Sequence, residues 1–127
     1  MSRTVIAPPS VTVPGVPLSP AVAYGDLVFV SGQLPIDPAT GQLVEGVEAQ
    51  TQASLDNLKT VLEAAGASLA SVLKTTVFLK NMDDFAAMNG VYAKAFPSEP
   101  PARSAIEVAR LPKDALVEIE AVAARVK

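Results

Sequence analysis

Residues 100–127, PPARSAIEVARLPKDALVEIEAVAARVK, close the chain and read as two strands around a proline-containing turn. In the second strand, side chains alternate between faces. Leu116, Glu118, Glu120, Val122 and Ala124 fall on one side, and Val117, Ile119, Ala121 and Ala123 on the other. The second set is a core face, so a layer of other elements is expected to pack on it. The first set carries two carboxylates two residues apart. Alternation alone makes both of them solvent-facing. A chemical role would require one to sit in a cleft, where partial burial raises its pKa toward neutrality and lets it carry a proton. Arg103 opens the preceding strand after Pro100-Pro101-Ala102, a stiff approach that fixes where its side chain points. Two partners suit a guanidinium held in this way: the carboxylate of a bound molecule, gripped bidentately, or Glu107 four residues along the same face.

Working upstream, Phe85, Met88, Tyr92 and Phe96 recur at helical spacing, with Asp83 or Asp84 placed to cap the helix and Pro97, Pro100 and Pro101 to end it. VLKTTVFLK (72–80) is rich in β-branched residues and predicts a strand. Residues from about Val47 to Ala65 predict a helix through Leu55, Leu58, Leu62 and Ala65, with Gly66 as its C-terminal stop. Ala21–Tyr24 and Leu27–Ser31 predict strands joined at Gly25-Asp26, Gly32 is expected to break the second, and PIDPATGQ (35–42) reads as a loop. Residues 1–20 hold five prolines and read as an extended arm with at most an edge strand. The order predicts one α+β domain over residues 1–127, with one sheet and two helices on one of its faces. The other face then needs a cover, and a second subunit is the simplest one.

Composition limits the chemistry. The chain has 127 residues, 50% hydrophobic and 18% charged, with a net charge of −3 and neither histidine nor cysteine. Thiolate nucleophiles, disulfides and thiolate metal sites are excluded, and so are the commonest general base and the commonest transition-metal ligand. No metal-ligand spacing occurs, and no cofactor motif is present. The acidic balance argues against a surface that tracks phosphates, so no nucleic-acid partner is expected. No run approaches the length of a membrane span, and the N-terminus does not read as a secretory signal, so a cytoplasmic protein is expected. Three further residues stand out. Ser31 ends a strand with no histidine to activate it, so its hydroxyl either caps backbone or donates to a ligand. Gly32 beside it permits close approach of another group. Asn89, a mediocre helix former, sits beside the apolar face of the second helix and is suited to bonding a loop or a ligand.

Four stretches together, VSGQLP (30–35), QASLDNLKTVLEAAG (52–66), VLKTTVFLKNMDDFAAMN (72–89) and above all PARSAIEVARLPKDALVEIEAVA (101–123), resemble the RidA/YjgF family of reactive-intermediate deaminases. The resemblance runs from about Gly15 onward. It implies a chorismate-mutase-like sandwich assembled as a homotrimer with clefts between subunits. It also implies hydrolysis of enamine and imine intermediates such as 2-aminoacrylate to 2-oxo acids and ammonia, without a cofactor. By similarity, Arg103 holds the substrate carboxylate and Glu118 positions or activates water. Ser31, Gly32 and Asn89 line the pocket, Asn89 from or near a neighbouring subunit. Two features depart from the family pattern. Leu18 stands where a tyrosine is usual, and the loop at residues 97–101 is a few residues shorter. The alternatives are a non-catalytic trimeric module that binds small carboxylates and, against the charge balance, a single-strand endoribonuclease.

Overall fold

A computed structural model describes residues 2–125. Eight strands and two α-helices alternate along them: β1 Thr4–Ile6, β2 Ala21–Tyr24, β3 Leu27–Gln33, β4 Ile36–Asp37, β5 Gln42–Leu43, α1 Val47–Ala64, β6 Val72–Leu79, α2 Phe85–Ala95, β7 Ala102–Glu107 and β8 Val117–Ala124. Six strands form the main sheet in the order β1-β2-β3-β8-β6-β7, and β4 and β5 form a small separate hairpin. All pairings in the main sheet are antiparallel except β6 with β7. The expected α+β sandwich is therefore present, with both helices on one face.

The core follows the alternation read from the sequence. Val117, Ile119, Ala121 and Ala123 meet Leu55, Leu58, Val61 and Leu62 of α1, Met88 and Tyr92 of α2, and Phe96 just beyond it, all buried. At roughly 25 cal/mol per Å² of apolar surface removed from water, this face is the main source of stability. Helix α1 is closed two residues beyond its end by Gly66, whose φ of +80° suits a residue without a side chain, and the Ala67 amide returns to the Leu62 carbonyl.

Several local expectations are corrected. The closing strands are not a hairpin: β6 lies between β7 and β8, and residues 108–116 carry the chain over it. Gly32 does not end β3, which runs on to Gln33 through an irregularity of register between Val30 and Gln33. Helix α2 is entered through a 3-10 turn, Met82–Asp84, and the capping side chain is that of Asn81, which accepts from the Asp83 amide. Asp84 precedes the helix without a side-chain cap. The loop at 35–42 contains the β4–β5 turn, which Asn57 of α1 holds through the Leu34 and Ile36 carbonyls.

The opposite face of the main sheet stays open. Val5, Tyr24, Leu27, Phe29 and Ile106 point from it, each between 40% and 51% exposed. Val22, Phe78 and Val122 lie among them, half-buried. So much apolar surface on one continuous face is what an interaction surface looks like.

Candidate active site

Strand register divides the expected residues into two groups. Arg103 on β7 pairs with Thr75 of β6, and Thr75 pairs with Ala121 of β8, so Arg103 points to the helix side. Glu118 pairs with Phe78 and points to the open side. The two backbone positions are two strands and three residues apart, roughly 14 Å, on opposite faces of the sheet.

The Arg103 group is built on α2. Phe85, Asn89 and Tyr92, spaced four and three residues apart, lie on one helix face and present it to the edge strand β7. The Arg103 Nη1 donates to Asn89 Oδ1 at 2.7 Å, and the guanidinium carbon lies 4.8 Å from the Tyr92 ring centre and 5.5 Å from that of Phe85. Among the described residues these partners are all neutral. The alternative of an ion pair with Glu107 is not realised, because Glu107 accepts from the Met82 amide instead. Tyr92 is fixed in turn by a 2.7 Å hydrogen bond with Thr75 Oγ1 and by the Phe96 ring, 4.7 Å away between centres. Burial pushes the Tyr92 phenol above its ordinary range, against the lowering effect of the Thr75 bond and the Arg103 charge, so it is protonated at neutral pH.

The Glu118 group is built where β3 meets β8. Gly32 lies so close to Glu118 that a Cβ there would stand 2.5 Å from Oε2 and 2.8 Å from Cδ. The missing side chain is the space that the carboxylate occupies. Glu118 is half-buried, and burial first, then the neighbouring charge of Glu120, raises its pKa above the usual carboxylate range. Glu120, opposite Thr76 on the same face, is exposed. Ser31 gives its hydroxyl proton to the Ser19 carbonyl at 2.6 Å, and its amide bonds the Pro20 carbonyl, which ties the N-terminal arm to this end of β3. Leu18, one residue before that tie, is exposed. Asn89 belongs with Arg103 in the same chain, away from Ser31 and Gly32.

The roles of Phe85, Tyr92 and Thr75 around Arg103 are missing from the sequence reading. Helical periodicity assigned both aromatics to the core, and only the placement of an arginine on the adjoining edge strand reveals their second contact. Among the described residues no group of three or more carboxylates could hold a metal ion, and no helix is long and apolar enough to cross a membrane.

Residues 10–125 match the family described as Endoribonuclease L-PSP. The chain belongs to this YjgF/RidA/RutC family. It is 56% identical over 108 residues to a RutC family protein of Pyrococcus horikoshii, covering 84% of this chain and 86% of the relative. It is 48% identical over 112 residues to the 2-iminobutanoate/2-iminopropanoate deaminase of Salmonella typhimurium, covering 86% and 88%. Among solved structures, Escherichia coli TdcF with bound serine superposes with a TM-score of 0.91 at 40% identity, over 97% of this chain and 99% of that one.

Proposed function

We propose that this protein hydrolyses small enamine and imine acids of the 2-aminoacrylate type to 2-oxo acids and ammonia, in sites completed by a second copy of the chain. The observation that carries the reading is the guanidinium of Arg103, anchored by an amide oxygen and two ring faces. Its charge is not spent on a carboxylate within the described chain, so the donors left over fit a substrate carboxylate. The serine bound to TdcF and the deaminase name of the Salmonella relative support the same substrate class.

The chemistry needs little beyond orientation and one proton carrier. Arg103 holds the substrate carboxylate. An enamine substrate first takes a proton from water at its β-carbon and becomes the protonated imine. Glu118, made more basic by burial, then takes a proton from the attacking water as its oxygen adds to the imine carbon. Glu118 passes that proton to the carbinolamine nitrogen, the C–N bond breaks to release ammonia, and the hydroxyl returns its proton to Glu118 as the carbonyl forms. The imine carbon is already electrophilic, so neither a histidine nor a covalent nucleophile is required. Gly32 gives the Glu118 carboxylate its place, Ser31 holds the arm that carries Leu18, and Leu18 supplies an apolar wall where the family usually has a phenol.

Arg103 and Glu118 of one chain face opposite sides of one sheet, and this favours sites shared between copies. A homotrimer packing its open, apolar faces inward would bring the Glu118 of one copy to the Arg103 of the next. The endoribonuclease reading gains nothing from the site, whose one functional cation faces two rings in a chain of net charge −3.

Mixing inactive subunits tests the proposal. Arg103→Ala and Glu118→Gln proteins, each inactive in releasing 2-oxo acid from 2-aminoacrylate, are unfolded together and refolded as a mixture. Random assortment in a cyclic trimer leaves about a quarter of the sites with both residues intact, so activity returns to roughly that fraction. No recovery would place both residues in one chain's site. Full activity in the separate variants would remove both residues from the chemistry, whereas no turnover by the unsubstituted protein would leave only a carboxylate-binding module.

A further inference from the structure

We propose that Thr75, Tyr92 and Phe85 are positioning residues for Arg103, setting the direction in which its guanidinium meets a carboxylate, with Thr75 acting only through Tyr92. The inference rests on the reading of Arg103 as the carboxylate-binding residue.

Thr75 and Arg103 are register partners on adjacent strands and project from the same face. The Thr75 hydroxyl is not hydrogen-bonded to the guanidinium. It is bonded to the Tyr92 hydroxyl at 2.7 Å, and the Tyr92 ring lies under the Arg103 guanidinium. Thr75 is 1% exposed and Tyr92 6%, so this bond is formed away from water, where an unpartnered hydroxyl is costly and the paired geometry is correspondingly firm. Phe96 backs the ring, and Phe85 offers a second face to the same cation. Asn89 fixes the Nη1 corner. An arginine side chain on an edge strand would otherwise sample many rotamers. Here a ring below, a ring beside and an amide at one corner leave it a single direction, and the remaining N–H groups form the fork.

Thr75 and Tyr92 are also buried core residues, so the test separates positioning from folding. Calorimetric titration with 2-oxobutanoate measures the affinity of the Arg103 site in the full-length protein. Tyr92→Leu removes the ring face and is expected to weaken binding roughly tenfold. Tyr92→Phe and Thr75→Val each break the same hydrogen bond, so each weakens binding about threefold and the double variant weakens it no more than either alone. In an Arg103→Lys background, where no planar fork remains to be aimed, Tyr92→Phe and Thr75→Val should leave the residual affinity unaltered. If Tyr92→Leu fails to fold, the two conservative variants decide. Unaltered affinity in Tyr92→Phe and Thr75→Val, or equal losses in the Arg103→Lys background, would overturn the positioning role while leaving the carboxylate site standing. Absence of binding by the unsubstituted protein, or undiminished binding by Arg103→Ala, would instead remove the reading of Arg103 and this inference with it.

Discussion

Replacing Gly32 with alanine should separate activity from stability. The added Cβ would stand 2.5 Å from Glu118 Oε2. Ordinary contact begins near 3.4 Å, so the oxygen must retreat by about 0.9 Å. The obstructing atoms are the end of a flexible side chain, and a modest χ rotation clears them at a cost of about 0.5–1.5 kcal/mol. For a domain of this size that lowers Tm by a few degrees, roughly 2–6 °C. A catalytic carboxylate displaced by nearly 1 Å is another matter, since misplacement on that scale can cost on the order of a hundredfold in rate. The Gly32→Ala protein should therefore melt cooperatively close to the parent and bind 2-oxobutanoate with little change, because Arg103 is untouched. Its kcat for 2-aminoacrylate hydrolysis should fall roughly a hundredfold. Calorimetry for binding, thermal unfolding monitored by circular dichroism and a coupled assay of keto-acid release give the three numbers. A Gly32→Ala protein with parental kcat would show that the Glu118 position has no bearing on the chemistry. A collapse of Tm by tens of degrees would show that Gly32 serves backbone packing instead.

The remaining predictions concern Glu118 and Leu18. Burial raises the Glu118 pKa in the folded state above its unfolded value, so the stability linked to its proton is complete below the unfolded pKa and is lost as pH rises through the folded one. Glu118→Gln, which cannot ionise, should thus gain thermal stability over the parent as pH rises above the ordinary carboxylate value of 4.5. Its Tm advantage should grow with pH, and a pH-independent difference between the two melting curves would refute the shift. Leu18→Tyr should return a phenol to the arm that Ser31 ties down and raise kcat/KM for 2-aminoacrylate about tenfold at unchanged Tm. Steady-state kinetics showing no gain would detach Leu18 from the site.

The sheet and its helices were largely legible because their signals are local. Alternation in 116–124 separated the faces of β8 correctly, and leucines at helical spacing with Gly66 behind them bounded α1 to within a residue. Strand order was not legible in the same way. Chain proximity suggested a β7–β8 hairpin, whereas β6 pairs on one side with each of them, a long-range choice that no local pattern encodes. Periodicity also left Glu118 and Glu120 equivalent, since both share a face. What distinguishes them is a glycine on the neighbouring strand, and the register that sets Gly32 beside Glu118 is set by the irregularity in β3. Arg103 was open between Glu107 and a ligand, because four residues along a strand and fourteen back to Asn89 look equally available until the helix is docked.

That two identical carboxylates on one strand diverge in character follows from the difference in their neighbours. Glu120 stays exposed opposite Thr76, while Glu118 folds into the gap left by Gly32 and loses water. Desolvation alone would raise the Glu118 pKa, and the Glu120 charge two residues away on the same face raises it further. Arg103 does not figure among the causes, as its place across the sheet requires. Burying one glutamate beside another, with the chain's own arginine on the far side of the sheet, makes Glu118 more basic than an exposed carboxylate. Under the shared-site reading, the cation that reaches Glu118 comes from the next copy with a substrate carboxylate bound to it. Its charge is then largely neutralised at the moment the proton must be taken, so the basicity gained by burial is retained for the water attack.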